Sequence, residues 1–316
     1  MARSTSPNLT VSDPSPTEVS SRSFALNLLI SLRPGQWTKN LLVFAGLIFG
    51  SKLFDAASVG AAVEAFAIFC ALSGVVYLLN DVADRKSDRQ HPYKKHRPIA
   101  AGALDVGAAL TAGALLGAAS LGAAFALSGR FGVVATGYLG LQALYSAQLK
   151  HVVIVDVLII AIGFVLRAVA GAVAIDVAIS HWLFVCTILL ALFIALAKRR
   201  HELMLLAEGA TSHRPILDEY SPYLLDQMIA VVTASTLIAY IFYTISPETQ
   251  EKFGTPWLGL TIPFPLYGIF RYLYLVHRRE GGGNPADLLL NDRPLLVCVA
   301  LWAIAVALVI YGPFGA

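Results

Sequence analysis

Residues 58–88 read SVGAAVEAFAIFCALSGVVYLLNDVADRKSD. About twenty residues, apolar apart from Glu64, end at Asn80, and three aspartates follow at once. A run of that length crosses the roughly 30 Å of bilayer hydrocarbon as a helix. If the helix continues, Asp81, Asp84 and Asp88 fall at i, i+3 and i+7, on one face. Clustered carboxylates repel one another and raise one another's pKa unless a cation lies between them. Oxygen ligands at the membrane edge suit Mg²⁺, which takes one or two carboxylates, several waters and substrate phosphate oxygens. The competing reading is a solvated helix end. Against it stand Arg85, Lys86, Arg89, Lys94, Lys95 and Arg97 in the same loop, acid for a metal and base for phosphate side by side.

The rest of the chain has the same character. Of its 316 residues, 57% are hydrophobic and 14% charged, where a soluble domain carries about 25% charged. Mean hydropathy is +0.69. So much apolar surface cannot be hidden in a soluble core, which excludes a soluble enzyme, a disordered chain and a secreted disulfide scaffold. Cys70, Cys186 and Cys298 lie inside apolar runs and read as small buried hydrophobes. Residues 1–21, rich in Ser, Pro and Thr, predict a disordered tail without a signal-peptide core.

Apolar stretches at 37–54, 58–79, 103–127, 131–148, 152–175, 180–197, 227–246, 256–276 and 294–313 predict nine membrane-spanning helices, an all-α multi-pass protein. Nine spans put alternate loops on opposite sides. Of the 23 Lys and Arg residues, Lys52, Arg130 and Lys252 fall on one side and Arg167 within a span; the others lie on the side of the N-terminus. The positive-inside rule makes that side cytoplasmic, in the cell (inner) membrane. No nucleic-acid partner is expected, the surroundings are membrane lipid, and a homo-oligomer is compatible.

The pattern N-D-x-x-D-x-x-x-D over Asn80–Asp88, followed by His96-Arg97-Pro98-Ile99-Ala100-Ala101-Gly102, resembles the first aspartate-rich motif of the UbiA superfamily of intramembrane prenyltransferases. Arg33-Pro34-Gly35-Gln36-Trp37-Thr38-Lys39-Asn40 is similar to the start of the family's first span. The resemblance implies nine helices around a central cytoplasm-facing cavity over residues 22–316, with Mg²⁺ on a substrate diphosphate. The family's second motif, D-x-x-x-D after the sixth helix, is replaced by Lys198-Arg199-Arg200-His201-Glu202-Leu203. Cations there suit a donor with a further phosphate, and 5-phosphoribosyl 1-diphosphate carries a diphosphate at C1 and a phosphate at C5. Tyr145–His151 with Asp156, the Gly163–Gly171 run, Lys198-Arg199 with Glu202, and Arg271-Tyr272 ahead of Asp292-Arg293 are similar to one branch of the family. That branch transfers 5-phosphoribose onto a polyprenyl (decaprenyl) phosphate for arabinofuranose donors and cell-wall glycan.

On this reading Asp81, Asp84 and Asp88 are metal ligands, and Asn80 orients them or touches the donor. Lys39 and Arg97 bind phosphate, although an interfacial Trp37–Lys39 pair also serves as a membrane anchor. Lys150 reaches the diphosphate or merely snorkels, and Tyr145 lines the sugar site. A carboxylate within a span is costly, so Asp156 should face the cavity and pair with a cation. Arg167 is either a substrate contact or half of a structural ion pair. Lys198 and Arg199 hold the 5-phosphate, Arg199 by bidentate bonds, and Glu202 contacts the metal or a ribose hydroxyl. Arg200 should face solvent. Lys94, Lys95 and His96 read as surface charges, Asp226, Tyr220 and Tyr223 as secondary candidates, and Gly281-Gly282-Gly283 as a connector. Two alternatives stand: an aromatic prenyltransferase using an isoprenyl diphosphate, and a secondary transporter of an anionic solute.

Overall fold

The computed structural model describes residues 22–91, 94–178, 181–207, 215–278 and 291–312. The N-terminal tail and the three-glycine connector lie outside them. The described residues form helices and turns without a strand. In chain order these are α1 (Phe24–Ser31), a 3₁₀ segment Pro34–Phe44, α2 (Ala45–Phe49), α3 (Ala56–Ala83), α4 (Arg85–Asp88) and α5 (Pro98–Ala101). Then come α6 (Val106–Leu127), α7 (Gly129–Ala147), α8 (Val155–Ala174), α9 (His181–Ala207), α10 (Pro222–Ile245), α11 (Pro247–Phe253), α12 (Pro263–Arg278) and α13 (Arg293–Tyr311).

Among the described residues, α3, α6, α8, α10 and α13 are long and apolar enough to cross a bilayer, and the chain is a membrane protein. The sequence predicts nine spans. The first is built differently from an unbroken helix: Pro34 opens a 3₁₀ stretch that passes into the five-residue α2. The eighth also begins as a 3₁₀ turn, Trp257–Thr261, before α12. Helices α7 and α9 have the length, but α7 is interrupted by small and polar residues and α9 runs on into Lys198–Glu202.

Short breaks between spans are fixed by caps. The Asp55 carboxylate accepts from Ser58 N–H, Asp105 from Ala108, Ser128 from Phe131, Ser221 from Leu224 and Asp292 from Leu295. Each satisfies an orphan amide at a helix start. Ser128 is extended, and this single residue joins α6 to α7. Arg271 holds Asp292 at 2.8 Å, tying α12 to the cap of α13.

Among the described residues, two apolar clusters are the largest. Phe69, Leu72, Phe131, Tyr138 and Val43 pack α3, α7 and the first segment together. Val157, Phe193, Leu196, Leu225 and Leu295 join α8, α9, α10 and α13. Gly171 sets the distance between α8 and the first segment: a Cβ there would lie 1.8 Å from the Val43 carbonyl oxygen. Small residues allow this approach, which in lipid supplies much of the packing energy.

Candidate functional site

The acidic stretch is not one continuous helix. Helix α3 ends at Ala83, Asp84 caps it, and α4 resumes at Arg85. The loop then folds back. The Arg89 guanidinium donates to the Ala100 carbonyl at 2.9 Å, Pro98 opens α5, and Gly102 closes it with a φ of 80° that favours glycine. This return places Arg97, extended at the start of α5, over the carboxylates. Arg97 pairs with Asp81 at 3.1 Å and with Asp88 at 2.7 Å. Asp81 and Asp88 thus share a guanidinium, whereas Asp84, half-exposed at the break, faces Lys150 at 3.5 Å.

Asp81 has a second partner that composition did not point to. Arg33 pairs with the same Asp81 oxygen and lies 4.7 Å over the Tyr77 ring. Its backbone is left-handed, φ 53° and ψ 65°, a conformation non-glycine residues rarely hold and one that collects at functional sites. Asn80 accepts from Ser146 at 2.5 Å, which brings the end of α7 against the acidic motif.

Other predicted basic residues lie within electrostatic range of one another. Lys39 is within electrostatic reach of Lys198, Arg167 and Arg33, and Tyr145 is within reach of Arg199. Lys198 is exposed at the edge of α9. Ion pairs therefore link Asp88, Arg97, Asp81 and Arg33, and Lys150 with Asp84, while Lys39 and Lys198 lie within electrostatic range of each other and Lys39 within that of Arg33.

Arg199 departs from expectation. Its side chain is 2% exposed; its Nε donates to Asp156 at 2.8 Å, and it pairs with Glu202 one turn on. Two carboxylates already neutralise it, so it braces the site and does not present a bare guanidinium to a phosphate. Glu202 is likewise held by Arg199 through one carboxylate oxygen, with its side chain 27% exposed. Asp156 behaves as expected of a carboxylate within a span: it is fully buried in the first turn of α8, where the helix dipole favours an anion, and it takes Arg199 as its cation. Arg200 does not face solvent; it pairs with Asp226 at 2.5 Å and is 13% exposed.

Tyr220 completes the Asp156 environment. Its hydroxyl donates to Asp156 Oδ1 at 2.8 Å and accepts from the Ile154 N–H at 2.7 Å. Burial, with the bond to Asp156 adding to it, pushes this phenol up to about 12. Arg167 is buried and donates to Asn40 Oδ1 (2.7 Å), the Gly163 carbonyl (2.7 Å) and the Tyr138 hydroxyl (2.8 Å). Among the described residues no carboxylate lies in ion-pair range of it, so the structural ion pair is not formed there.

Among the described residues no three acids or imidazoles converge as a complete metal-ligand set. The donor chemistry still suits Mg²⁺, which accepts one or two carboxylates and completes its shell with water and phosphate oxygens. Asp81, Asp84 and Asp88 are the residues able to hold it, in exchange for the guanidinium and ammonium groups now on them.

Residues 40–291 match the model of the UbiA prenyltransferase family. The decaprenyl-phosphate phosphoribosyltransferase of Mycolicibacterium smegmatis is 32% identical over 309 residues, 94% of this chain and 96% of that one. The Corynebacterium glutamicum enzyme of the same name is 31% identical over 299 residues, 92% and 88% of the two chains. In fold the chain is similar to a UbiA homolog from Archaeoglobus fulgidus solved with GPP and Mg²⁺, with a TM-score of 0.68, 22% identity and coverage of 91% and 98%.

Proposed function

The chain belongs to the UbiA prenyltransferase family, and from that premise we propose that it moves a 5-phosphoribosyl group from 5-phosphoribosyl 1-diphosphate to a polyprenyl phosphate such as decaprenyl phosphate, releasing diphosphate. The observation that carries the reading is the pairing of opposite poles in one neighbourhood. Asp81, Asp84 and Asp88 form the acidic pole; Lys198, where other family members carry D-x-x-x-D, and Lys39 form a cationic one. The names of the mycobacterial and corynebacterial relatives support transfer of a phosphoribosyl group to decaprenyl phosphate. Residues 22–316 form one transmembrane domain with nine spans, and the site opens to the cytoplasm at the inner membrane, on the side of the basic loops.

Mg²⁺ on the aspartates neutralises the leaving diphosphate when bound. Lys150 and Arg97, with Arg33 beside them, lie where they can share the charge that builds on diphosphate as the C1–O bond breaks. Lys39 and Lys198 hold the 5-phosphate, and Arg199 braces α8 against α9 beneath it. Tyr145 lines the sugar. The ribose gains oxocarbenium character, and an acceptor phosphate oxygen attacks the face opposite the leaving group, inverting C1. A phosphate monoester is anionic near neutrality, so no strong base is required; positioning and charge stabilisation supply the rate. The product would feed arabinofuranose donor and cell-wall glycan synthesis.

The test offers purified protein in detergent either labelled 5-phosphoribosyl diphosphate with polyprenyl phosphate, or labelled isoprenyl diphosphate with an aromatic quinone precursor, each with Mg²⁺. Label in a polyprenyl-phosphoryl sugar supports the proposal. Label in a prenylated aromatic supports the rival reading. A Mg²⁺-dependent product formed without a membrane gradient excludes the transporter.

A further inference from the structure

Ile154 has φ 69° and ψ −44°, the positive-φ turn region that is strained for any side chain and most of all for a β-branched one. Nothing about its side chain requires this, since it is 47% exposed. The constraint comes from the backbone. Its N–H donates to the Tyr220 hydroxyl at 2.7 Å, and that hydroxyl donates on to Asp156 at 2.8 Å. Tyr220 is anchored, with its ring packed among Val157, Ile216, Leu217 and Leu225. Four residues before Ile154 stands Lys150, in the tight turn Leu149–His151, 3.5 Å from Asp84. One phenol therefore joins the segment leading into α10, the buried end of α8 and the turn that presents Lys150.

We propose that Tyr220 is a positioning residue for the diphosphate end of the site: its hydroxyl holds the turn at Ile154 in its strained form, and the turn sets Lys150 opposite Asp84. The inference rests on the reading that Lys150 faces a substrate diphosphate, a group shared by phosphoribosyl and isoprenyl donors. It concerns the hydroxyl alone, because phenylalanine keeps the ring's packing. Without the hydroxyl, Ile154 relaxes to negative φ and Lys150 swings away. A glycine at 154 adopts positive φ without strain, so it should restore the turn where the hydroxyl is missing.

The experiment titrates full-length wild type, Tyr220→Phe, Ile154→Gly and the double variant with magnesium diphosphate by calorimetry. Tyr220→Phe should weaken binding about tenfold, within the usual range of coupling between sites. The double variant should return to within about threefold of wild type, because glycine holds the positive φ without the hydroxyl. A purely structural role would lower the binding stoichiometry and leave the affinity of the folded fraction unchanged. Wild-type affinity in Tyr220→Phe, or no recovery in the double variant, overturns the proposal. Coupling is reciprocal, so in the wild type magnesium diphosphate should slow hydrogen exchange of the Ile154 amide. Unchanged exchange overturns the proposal even if Tyr220→Phe does not fold. Wild type that binds diphosphate but makes no product from 5-phosphoribosyl diphosphate sinks the donor assignment and leaves this one standing.

Discussion

Asp156→Asn tests whether Arg199 is a brace or a phosphate ligand. The substitution keeps the shape and leaves an oxygen to accept from Tyr220, but it turns an amide toward the Arg199 Nε, now 2.8 Å from a carboxylate oxygen. The two side chains are 0% and 2% exposed. At that separation the attraction is about 6 kcal/mol in an effective dielectric of ~20, and the cost of desolvating both ions cancels part of it. Removing one partner of a buried pair costs about 3–5 kcal/mol. Glu202 stays on Arg199, so the loss should sit near 3 kcal/mol, roughly 150-fold in the unfolding equilibrium. The assay is reversible SDS unfolding in mixed micelles, with steady-state kinetics on the same preparations. The double variant Asp156→Asn with Arg199→Met should recover most of the stability, since neither buried ion is then left without its partner. It should also keep its donor KM within about threefold of wild type. A single-variant loss below about 1 kcal/mol, or a donor KM raised a hundredfold in the stable double variant, would refute the bracing role.

Lys39→Ala and Lys198→Ala should each raise the donor KM about tenfold, with a smaller effect on the acceptor; Lys→Arg changes at either site should keep most of the affinity. Asp84→Ala should remove the Mg²⁺-dependent turnover, and chelation of the wild type should do the same; full activity in either case would sink the metal assignment. Gly171→Ala should destabilise by about 1–3 kcal/mol or block folding, because its Cβ overlaps the Val43 carbonyl; wild-type melting would show that α8 sits further away. For pH, the Tyr220 phenol titrates near 12 in the fold and near 10 when unfolded. A raised folded value gives stability that is complete below pH 10 and lost between 10 and 12. Tyr220→Phe should flatten that alkaline loss, measured as Tm against pH.

The five membrane-length helices were legible because apolar runs of that length leave a helix little choice, whereas the 3₁₀ openings of the first and eighth predicted spans were not. That Asp81 and Asp88 lie close enough to share Arg97 fits the sequence spacing; the break at Asp84 was not legible, since nothing local forbids helix there. Asp156 could be given an unnamed cation from the cost of a carboxylate in lipid, but the partner lies 43 positions away. That distance hid the bracing role of Arg199, which by residue type alone resembles a phosphate fork. Arg33 stood inside a quoted motif, yet its pairing with Asp81 depends on a left-handed backbone that the Arg-Pro dipeptide does not announce. Tyr220 had weaker signals still. A tyrosine after a 3₁₀ turn is ordinary until Ile154 and Asp156 are found on either side of its hydroxyl.

On the proposed function, one site grips a donor by two phosphates at opposite poles. The most direct measurement is kcat/KM for 5-phosphoribosyl diphosphate against ribosyl 1-diphosphate, which lacks the 5-phosphate, in wild type and in Lys39→Ala/Lys198→Ala. Two charge-assisted contacts of about 1.5 kcal/mol each predict a preference of roughly a hundredfold or more in the wild type, collapsing to a few-fold in the double variant. Equal use of both donors by the wild type, or a preference that survives loss of both lysines, would contradict the account.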